Sequence, residues 1–525
     1  MPTHQTDLQQ LISNLAATAF LAVELGIGLR ALAGRPSGEI AGILPGITPA
    51  QLGDSSMVST HHSRFPYICG EMANGIATVQ MVQAITKHGM LGFFGAAGLS
   101  LARFEPAIDE LQKTCGDDLW GSNLIHSPQD PELEESSVDL YLRRGVRRVS
   151  SSAFMAVRPS IVRYAYSGIR TLPDGSILRK NYVFAKVSRP EVAKQFLSPA
   201  PDKMLEALVA KGGLTANEGA LARRLPVAED ITVEADSGGH TDNRPLSVIL
   251  PSILALRDEL AARFQYSRPV RVGAAGGLGT PYAVAGAFAL GAAYVVTGSV
   301  NQCTRESGQS EIAKKMLAQA SLADVTMAPA GDMFELGVKV QVLKRGTLFP
   351  VRAAKLYELY KRYPSLEELP VDIAASLEAD MFRQSIDRVW AETKTYFLAR
   401  KPAEVQRAES EPKHRMALVF RWYLGQSSRW PLEGVADRNF DYQIWCGPAM
   451  GAFNQWAAGS FLEDPAHRTV GEIALNLMYG AASITRAQQL RSFGVTVPSE
   501  LFHYRPRPLV ADQLHERPVL LTTHA

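Results

Sequence analysis

The chain has 525 residues, of which 46% are apolar, and its formal net charge at pH 7 is only +2. This length exceeds one ordinary domain and predicts one large domain with a substantial addition. Since DNA and RNA are bound by clustered Lys and Arg, the near balance of charges excludes nucleic acid as the expected partner.

The cysteines and the N-terminus narrow the class of protein further. The four cysteines lie far apart, so no spacing suits a tetrahedral zinc site and no structural metal or disulfide is expected. The apolar stretch 16–32 is interrupted by Glu24 and Arg30, and no leader-like segment precedes it. We therefore expect a soluble, cytoplasmic protein that does not enter a membrane.

Residues 1–85 show helical patches broken by loops rich in Gly and Pro, which predicts an N-terminal elaboration. From residue 89, short apolar runs alternate with helical stretches, as parallel strands covered on both faces require. The seven predicted strands are residues 90–94, 122–125, 148–151, 183–186, 231–234, 270–273 and 293–297. An eighth is expected at 160–166 or from Tyr182 onward. Repeated strand-helix units close into a barrel or an open sheet, and the count favours a (β/α)₈ barrel.

After residue 345 the sequence becomes typical of helices, with apolar residues at three- and four-residue spacings. The sequence thus predicts a barrel over 86–345, an added helical subdomain over 346–450, and a C-terminal helical segment with a tail over 451–525. The final stretch from Pro498 bears several prolines and is expected to be irregular.

The strongest local motif spans Val270–Gln302 and contains two glycine-bearing loops, each after a predicted strand. Gly276 and Gly277 lie in the first loop, and Gly298 and Ser299 lie in the second. Glycine lets backbone N–H groups approach phosphate oxygens closely, and the Ser299 hydroxyl can donate a further hydrogen bond. In (β/α)₈ enzymes a phosphate site often lies at the loops after strands 7 and 8, so we predict phosphate binding here.

A second motif, ITVEADSGGHTDNRPL, places His240 after a strand and two glycines. The C-terminal end of a barrel strand faces the reaction centre, so His240 is predicted to lie over the group bound at the phosphate site. It could donate a proton or orient a carbonyl oxygen near neutral pH. Asp236 and Asp242 flank it, and either could be its hydrogen-bonding partner or a loop cap.

Together with AAGGLGTP and GAAYVVTGS, the SGGH motif resembles the nitronate monooxygenase and enoyl reductase family, whose members bind FMN in a (β/α)₈ barrel. GFFGAAGLS, NLIHSPQDP and VFAKVSRPEVA are similar to one branch of it, the PfaD-type trans-acting enoyl reductases of polyketide and polyunsaturated fatty acid synthases. The resemblance covers about residues 50–480. This chain departs from the shorter nitronate enzymes in its terminal additions and in HTDNRP after the glycines.

The resemblance implies roles for five further residues. Gly95 and Ala96 would pass close to the flavin ring, Asn123 would hydrogen-bond it, and Lys186 would reach it. Gly239 would line the site beside His240. Asn123 and Lys186 could instead be ordinary barrel residues.

The implied reaction passes hydride from NADPH or NADH through FMN to the β-carbon of an enoyl thioester on an acyl carrier protein, while a proton reaches the α-carbon. Synthase modules would be further partners, and a homodimer is left open. A basic cluster could steer an acidic carrier, although an ordinary solvated face is the alternative; it comprises Lys339, Lys344, Arg345, Arg352 and Lys355.

Three other readings stay open beside the reductase. The same flavin site could oxidise alkyl nitronates, or the chain could be a flavin-binding scaffold without turnover. Cys303 could be a nucleophile, but its place after the last predicted strand argues against this role.

Overall fold

The computed structural model describes residues 2–24, 28–116, 119–127 and 130–510, with side chains from residue 6 onward. The chain divides into two compact units. The first consists of Met1–Asp236, Asn243–Gly308 and Gln455–Ala525, and the second of Ser237–Asp242 and Gln309–Asn454. Residues 128 and 129 of the NLIHSPQDP motif and residues 511–525 of the predicted tail lie outside the described residues.

The first unit contains a closed barrel of eight parallel strands, which confirms the predicted fold class. In chain order the strands are β1 (Tyr67–Cys69), β2 (Leu91–Phe94), β3 (Trp120–Ile125), β4 (Arg148–Ser152), β5 (Tyr182–Val187), β6 (Asp230–Glu234), β7 (Arg271–Ala275) and β8 (Val295–Thr297). The barrel closes where Val295 of β8 pairs with Tyr67 of β1. All seven predicted strands are present, with ends shifted by up to two residues.

The position predicted for the eighth strand is wrong. Residues 160–166 lie in the helix Pro159–Tyr166, and Tyr182 begins β5. The remaining strand is β1, which lies inside the region predicted as an N-terminal elaboration. It has only three residues, all buried, so its sequence shows too little of a pattern to distinguish a strand from a loop.

Helices follow the barrel strands and begin at sequence signals for helix starts. Thr78, Asp130 and Thr280 each accept a backbone N–H of the first turn through the side chain, as N-cap residues do. The helices of the first unit are Pro2–Ser13, Ser55–His61, Val79–Lys87, Leu101–Cys115, Pro131–Arg144, Pro159–Tyr166, Pro190–Phe196, Asp202–Ala210, Ala216–Ala222, Leu246–Phe264, Pro281–Ala289 and Val470–Ser492. Two small antiparallel sheets accompany them: Ala19–Glu24 with Gly28–Leu32 and Gly42–Leu44, and Arg170–Thr171 with Ile177–Leu178.

The helix Val470–Ser492 contacts the N-terminal segment of the chain within the first unit. The helix Val470–Ser492 is buried along most of its length, and its Gly480 lies against Pro281, where a Cβ would be 2.6 Å from the ring. Arg486 is fully buried and donates hydrogen bonds to the carbonyl oxygens of Ala17 and Pro45 at 2.9 and 2.8 Å. The guanidinium thus joins this helix to two carbonyl groups of the N-terminal segment.

Buried charged side chains lie at the end of the barrel formed by the N-terminal ends of its strands. Asp230 begins β6 and Arg271 begins β7, and the guanidinium Nε lies 2.6 Å from the carboxylate Oδ1. His61 Nε2 lies 3.2 Å from Asp230 Oδ2, and Arg148 Nε donates to His61 Nδ1 at 3.3 Å. Burial lowers the pKa of His61 despite the nearby carboxylate, so the imidazole is neutral near pH 7 and can accept this hydrogen bond.

The second unit confirms the predicted helical addition and also contains a three-stranded antiparallel sheet. Its strands are Gly239–His240, Val325–Pro329 and Lys339–Leu343. Its helices are Glu311–Ala318, Phe349–Arg362, Val371–Ser376, the π-helix Leu377–Phe382, Ile386–Leu398, Pro402–Ser410, Pro412–Glu433 and the 3₁₀-helix Ala436–Asp441; Ala449–Ala457 spans the junction with the first unit. The unit therefore includes residues before the predicted start at 346. Within the described ranges, no helix has the length and apolar character needed to cross a lipid bilayer.

Candidate functional site

The two glycine loops predicted to bind phosphate lie side by side at the C-terminal ends of β7 and β8. The two strands are parallel neighbours, with Ala274 opposite Val295 and Ala275 opposite Val296. Each loop follows its strand directly, so both open at the same end of the barrel. Thr280 caps the helix that follows the first loop.

The glycines of these loops differ in their surroundings. Gly276 has a φ of +85°, and a Cβ there would lie 2.8 Å from the carbonyl carbon of Ala235, so packing against the chain after β6 requires glycine. Gly277 and Gly298 have open space within 4 Å of where a Cβ would stand. Because glycine has no Cβ, this space is left free for the close approach of a phosphate oxygen. Ser299 follows Gly298 and begins a 3₁₀-helix, Ser299–Cys303. The residues present thus fit a phosphate group.

Lys186 of β5 lies between two carboxylates at the same end of the barrel. Its Nζ is 3.0 Å from Glu71 Oε1, just after β1, and 3.4 Å from Glu234 Oε1, the last residue of β6. Burial alone would lower the pKa of Lys186, but the two carboxylates outweigh burial and raise it above its ordinary value. The ammonium is therefore charged and fixed in place. The sequence prediction missed both carboxylates because they are far from Lys186 along the chain.

A small cavity inside the barrel lies beside this ion cluster. Its lining combines Lys186 and Glu71 with two hydroxyl groups and apolar side chains. The lining residues are Ile68, Glu71, Phe93, Ser150, Phe184, Lys186, Thr232 and Val296.

Gly95 and Ala96 directly follow β2, and the structure gives Gly95 a packing reason of its own. A Cβ on Gly95 would lie 1.8 Å from the carbonyl oxygen of Met72, and the Gly95 N–H donates to the Ala77 carbonyl at 3.0 Å. Glycine at this position is thus needed for the close contact with the loop after β1. Ala96 is buried and lines a second small cavity together with Asn123.

Asn123 is a buried residue of β3. Its Nδ2 donates to the Ser150 carbonyl and to the Ser152 Oγ, each at 3.0 Å. The Tyr141 hydroxyl donates to the Asn123 carbonyl at 2.7 Å. These bonds fix the amide against β4 and use its Nδ2. A ligand would therefore contact the side-chain oxygen of Asn123 as an acceptor.

His240 lies in the second unit, in the short strand Gly239–His240, where it pairs with Val340. About half of its side chain is exposed, and Nε2 lies 3.2 Å from Asp332 Oδ1. Burial would raise the pKa of Asp332, but the hydrogen bond and charge of His240 outweigh burial and lower it. Asp332 is a further residue that the sequence prediction missed, since 92 positions separate it from His240. Asp236 accepts a hydrogen bond from Asn243 at 2.8 Å.

The glycines before His240 pack against a segment near the end of the second unit. A Cβ on Gly238 would lie 2.8 Å from the backbone nitrogen of Cys446, and Gly239, at a φ of +82°, faces Trp445 at 4.0 Å. Gln341 Nε2 donates to the Ser237 carbonyl at 2.7 Å. The SGGH motif is therefore held by backbone and aromatic contacts, which explains both of its glycines.

Cys303 is fully buried in the 3₁₀-helix after β8. A nucleophile needs access to its substrate and a stabilised thiolate, so this burial does not favour the nucleophile reading. The described residues hold no group of three or more His, Cys, Asp or Glu side chains arranged to bind a metal ion.

Comparisons with known proteins agree with this architecture. Residues 363–442 match the family model described as the inserted helical domain of [acyl-carrier-protein] S-malonyltransferase. The chain is 45% identical over 502 residues to one component of the polyunsaturated fatty acid synthase of Thraustochytrium sp., covering 94% of this chain and 34% of that protein. It is 46% identical over 441 residues to the polyketide biosynthesis protein PksE of Bacillus subtilis, covering 84% and 57%. It therefore spans one third to just over half of these relatives.

A solved structure is similar over almost its whole length. The enoyl reductase domain of MlnA, from the macrolactin biosynthesis cluster of Bacillus amyloliquefaciens, superposes with a TM-score of 0.81 at 37% sequence identity. The match covers 84% of this chain and 99% of that domain. At this identity and coverage the likeness extends beyond the barrel to family membership.

Proposed function

Since this chain belongs to the PfaD-type enoyl reductase family of polyketide and polyunsaturated fatty acid synthases, we propose that it reduces the α,β-double bond of enoyl thioesters on an acyl carrier protein. FMN is the proposed bound cofactor, and NADPH or NADH the hydride donor. The observation that carries the proposal is the pair of adjacent glycine loops at the barrel mouth, with open space at Gly277 and Gly298.

The chain's own residues would bind the cofactor, orient the substrate and protonate its α-carbon. When bound, FMN would supply the two-electron chemistry that relays hydride between the nicotinamide and the β-carbon. The backbone around Gly277, Gly298 and Ser299 would hold the phosphate. Lys186 would place a fixed positive charge in the mouth, and His240 would give a proton to the α-carbon from its imidazolium. One hydride and one proton saturate the double bond, and the thioester stays intact.

The proposal is tested on the purified chain by its absorbance spectrum and by anaerobic NADPH titration. Bleaching of a flavin spectrum by NADPH, followed by recovery on addition of a crotonyl thioester, is expected. Bleaching by an alkyl nitronate but not by NADPH would favour the oxygenase, and yellow protein that fails to oxidise NADPH with the thioester would favour the scaffold. A homodimer and a cytoplasmic location stay predictions.

The Gly298→Ala variant is expected to weaken FMN binding without destabilising the protein. The new Cβ meets nothing of the protein within 4 Å, but it would occupy the space offered to the phosphate. We expect the Kd for FMN, from flavin fluorescence quenching, to rise at least about tenfold, equivalent to ~1.4 kcal/mol. Gly286→Ala is the matched control, because it also has open space and lies in the helix after the first loop. An unchanged Kd would remove Gly298 from the phosphate site.

The His240→Ala variant is expected to retain FMN and lose enoyl reduction. General acid catalysis contributes about 10²–10⁴-fold to a rate, so a loss within this range is expected in turnover with a crotonyl thioester. The rate of flavin reduction by NADPH, measured by stopped flow, should be unchanged, because that half-reaction needs no proton at carbon. His503→Ala, at an exposed histidine that contacts Tyr282, is the control. Full turnover of His240→Ala would assign the proton to another group.

A further inference from the structure

Three large apolar side chains are exposed together on the second unit. Leu348 is 47% exposed, Val351 is 70% exposed and Phe440 is 54% exposed. The Leu348 N–H donates to the Phe440 carbonyl at 2.7 Å, so the start of the helix Phe349–Arg362 lies directly beside the 3₁₀-helix Ala436–Asp441. Val351 follows Leu348 by three residues and shares its side of the helix start. A cluster of exposed apolar groups of this kind often marks an interaction site.

Basic side chains lie next to this cluster. Lys344 and Arg345 are exposed in the turn just before Leu348, and Lys355 lies one helical turn after Val351. Arg345 keeps 52% of its side chain exposed, with a contact of 3.7 Å to Asp324. Arg352, also predicted from the sequence to attract a carrier, differs from these three because it is only 16% exposed and bonds to Asp441.

The carboxylates nearby are mostly neutralised or buried. Asp441 is fully buried and contacts Arg352 and Arg438. Asp324 is 17% exposed, and its carboxylate accepts from the backbone N–H and the hydroxyl of Ser321, each at 2.7 Å. The exposed Asp437 pairs with Arg383 at 3.5 Å. One exposed carboxylate, that of Glu358, lies two helical turns after Val351, whereas Lys344 and Arg345 come just before Leu348. The charge directly beside the apolar centre is therefore positive.

We propose that Lys344, Arg345, Leu348, Val351 and Phe440, here called the docking surface, bind the acidic carrier domain that bears the enoyl thioester. The inference rests on the proposed function and adds the place where the partner binds. An apolar centre with cations beside it complements a small domain with acidic side chains around an apolar patch, because the charges steer the encounter and the apolar contact holds the complex. Three apolar side chains form a small interface, which suits a transient complex that must release its carrier.

The test compares one enoyl group on two carriers. Val351→Asp and Arg345→Glu are each expected to raise the KM for crotonyl-carrier protein at least tenfold, with kcat changed less than twofold. With crotonyl-N-acetylcysteamine, which has no protein part, both variants should match the parent chain. Val371→Asp and Arg388→Glu are matched controls, since Val371 is an 86% exposed valine in the first turn of another helix of this unit and Arg388 is 72% exposed.

Each outcome is informative. An unchanged KM for the crotonyl-carrier protein in both variants, or an equal rise with the small thioester, would overturn the docking surface. A parent chain that reduces neither substrate would contradict the proposed function instead, and titration of the fluorescently labelled carrier protein against the parent chain and both variants would still test docking. A change in oligomeric state of Val351→Asp on size-exclusion chromatography would assign the surface to a second copy of this chain and overturn the carrier proposal. Lys344→Glu repeats the charge test at a second exposed site.

Discussion

The Arg271→Met variant is expected to lose about 3–5 kcal/mol of unfolding free energy, as when one partner of a buried ion pair is removed. Arg271 supplies the closest cation to Asp230, whose side chain is fully buried. Burial raises the pKa of Asp230, but Arg271 and His61 outweigh burial and lower it. Without the guanidinium, Asp230 must either keep a charge with little compensation or take up a proton in the barrel. Urea unfolding followed by tryptophan fluorescence measures the loss.

Two controls separate the buried pair from a general effect of losing an arginine. Arg223→Met removes a partly exposed guanidinium paired with the exposed Asp202, and such pairs contribute about 0–1 kcal/mol. The double variant Arg271→Met with Asp230→Asn removes both charges and should be more stable than Arg271→Met alone. If Arg271→Met were no less stable than Arg223→Met, the charges at the barrel end would not contribute to its stability.

The Lys186→Met variant is expected to lose most of its affinity for FMN. Removal of the ammonium leaves Glu71, which is 5% exposed, and Glu234, which is 22% exposed, facing each other at the barrel mouth. Two uncompensated carboxylates would repel an anionic cofactor, and like charges at this separation also disfavour each other. A rise in the Kd for FMN of about tenfold to hundredfold, ~1.4–2.7 kcal/mol, is expected from fluorescence titration of the apoprotein.

The charge explanation has its own controls. Lys186→Arg keeps the positive charge and should retain most of the affinity, whereas Lys180→Met removes an exposed lysine two residues before β5 and should have no effect. Adding Glu71→Gln and Glu234→Gln to Lys186→Met should restore part of the binding, because the repulsion is removed. Tight FMN binding by Lys186→Met alone would show that the ion cluster serves another purpose.

The sequence predicted the barrel well because its strands are short, apolar and separated by helices, a pattern that few folds share. The eighth strand was misplaced because β1 has only three residues. It is a strand because it pairs with Val295 of β8 and Leu91 of β2, and its own sequence shows no strand pattern. The sheet of the second unit was missed for a similar reason. Its longest pairing joins Val325–Pro329 to Lys339–Leu343, two strands of five residues each within the stretch 86–345 that was predicted as the barrel.

In the site, too, the features formed by residues close in sequence were predicted, and those formed by residues far apart were not. The two glycine loops were predicted as neighbours because each follows a strand within a short segment. The ion cluster was not predicted, because Lys186, Glu71 and Glu234 meet only when β1, β5 and β6 are in one barrel. The sequence suggested hydrogen-bonding partners for His240 among its flanking residues. In the structure Asp332, 92 positions away, contacts His240 because the strand Gly239–His240 pairs with Lys339–Leu343.

The packing of both chain ends into the first unit has a consequence for biosynthesis. When β8 leaves the ribosome, all eight barrel strands exist, but the helix Val470–Ser492 that packs on the helix Pro281–Ala289 has yet to be made. At ordinary elongation rates this helix follows roughly 10–40 s later. The nascent barrel must therefore wait with an apolar flank uncovered, and the helices of the second unit emerge during that interval. Co-translational chaperone binding should be strongest in this window.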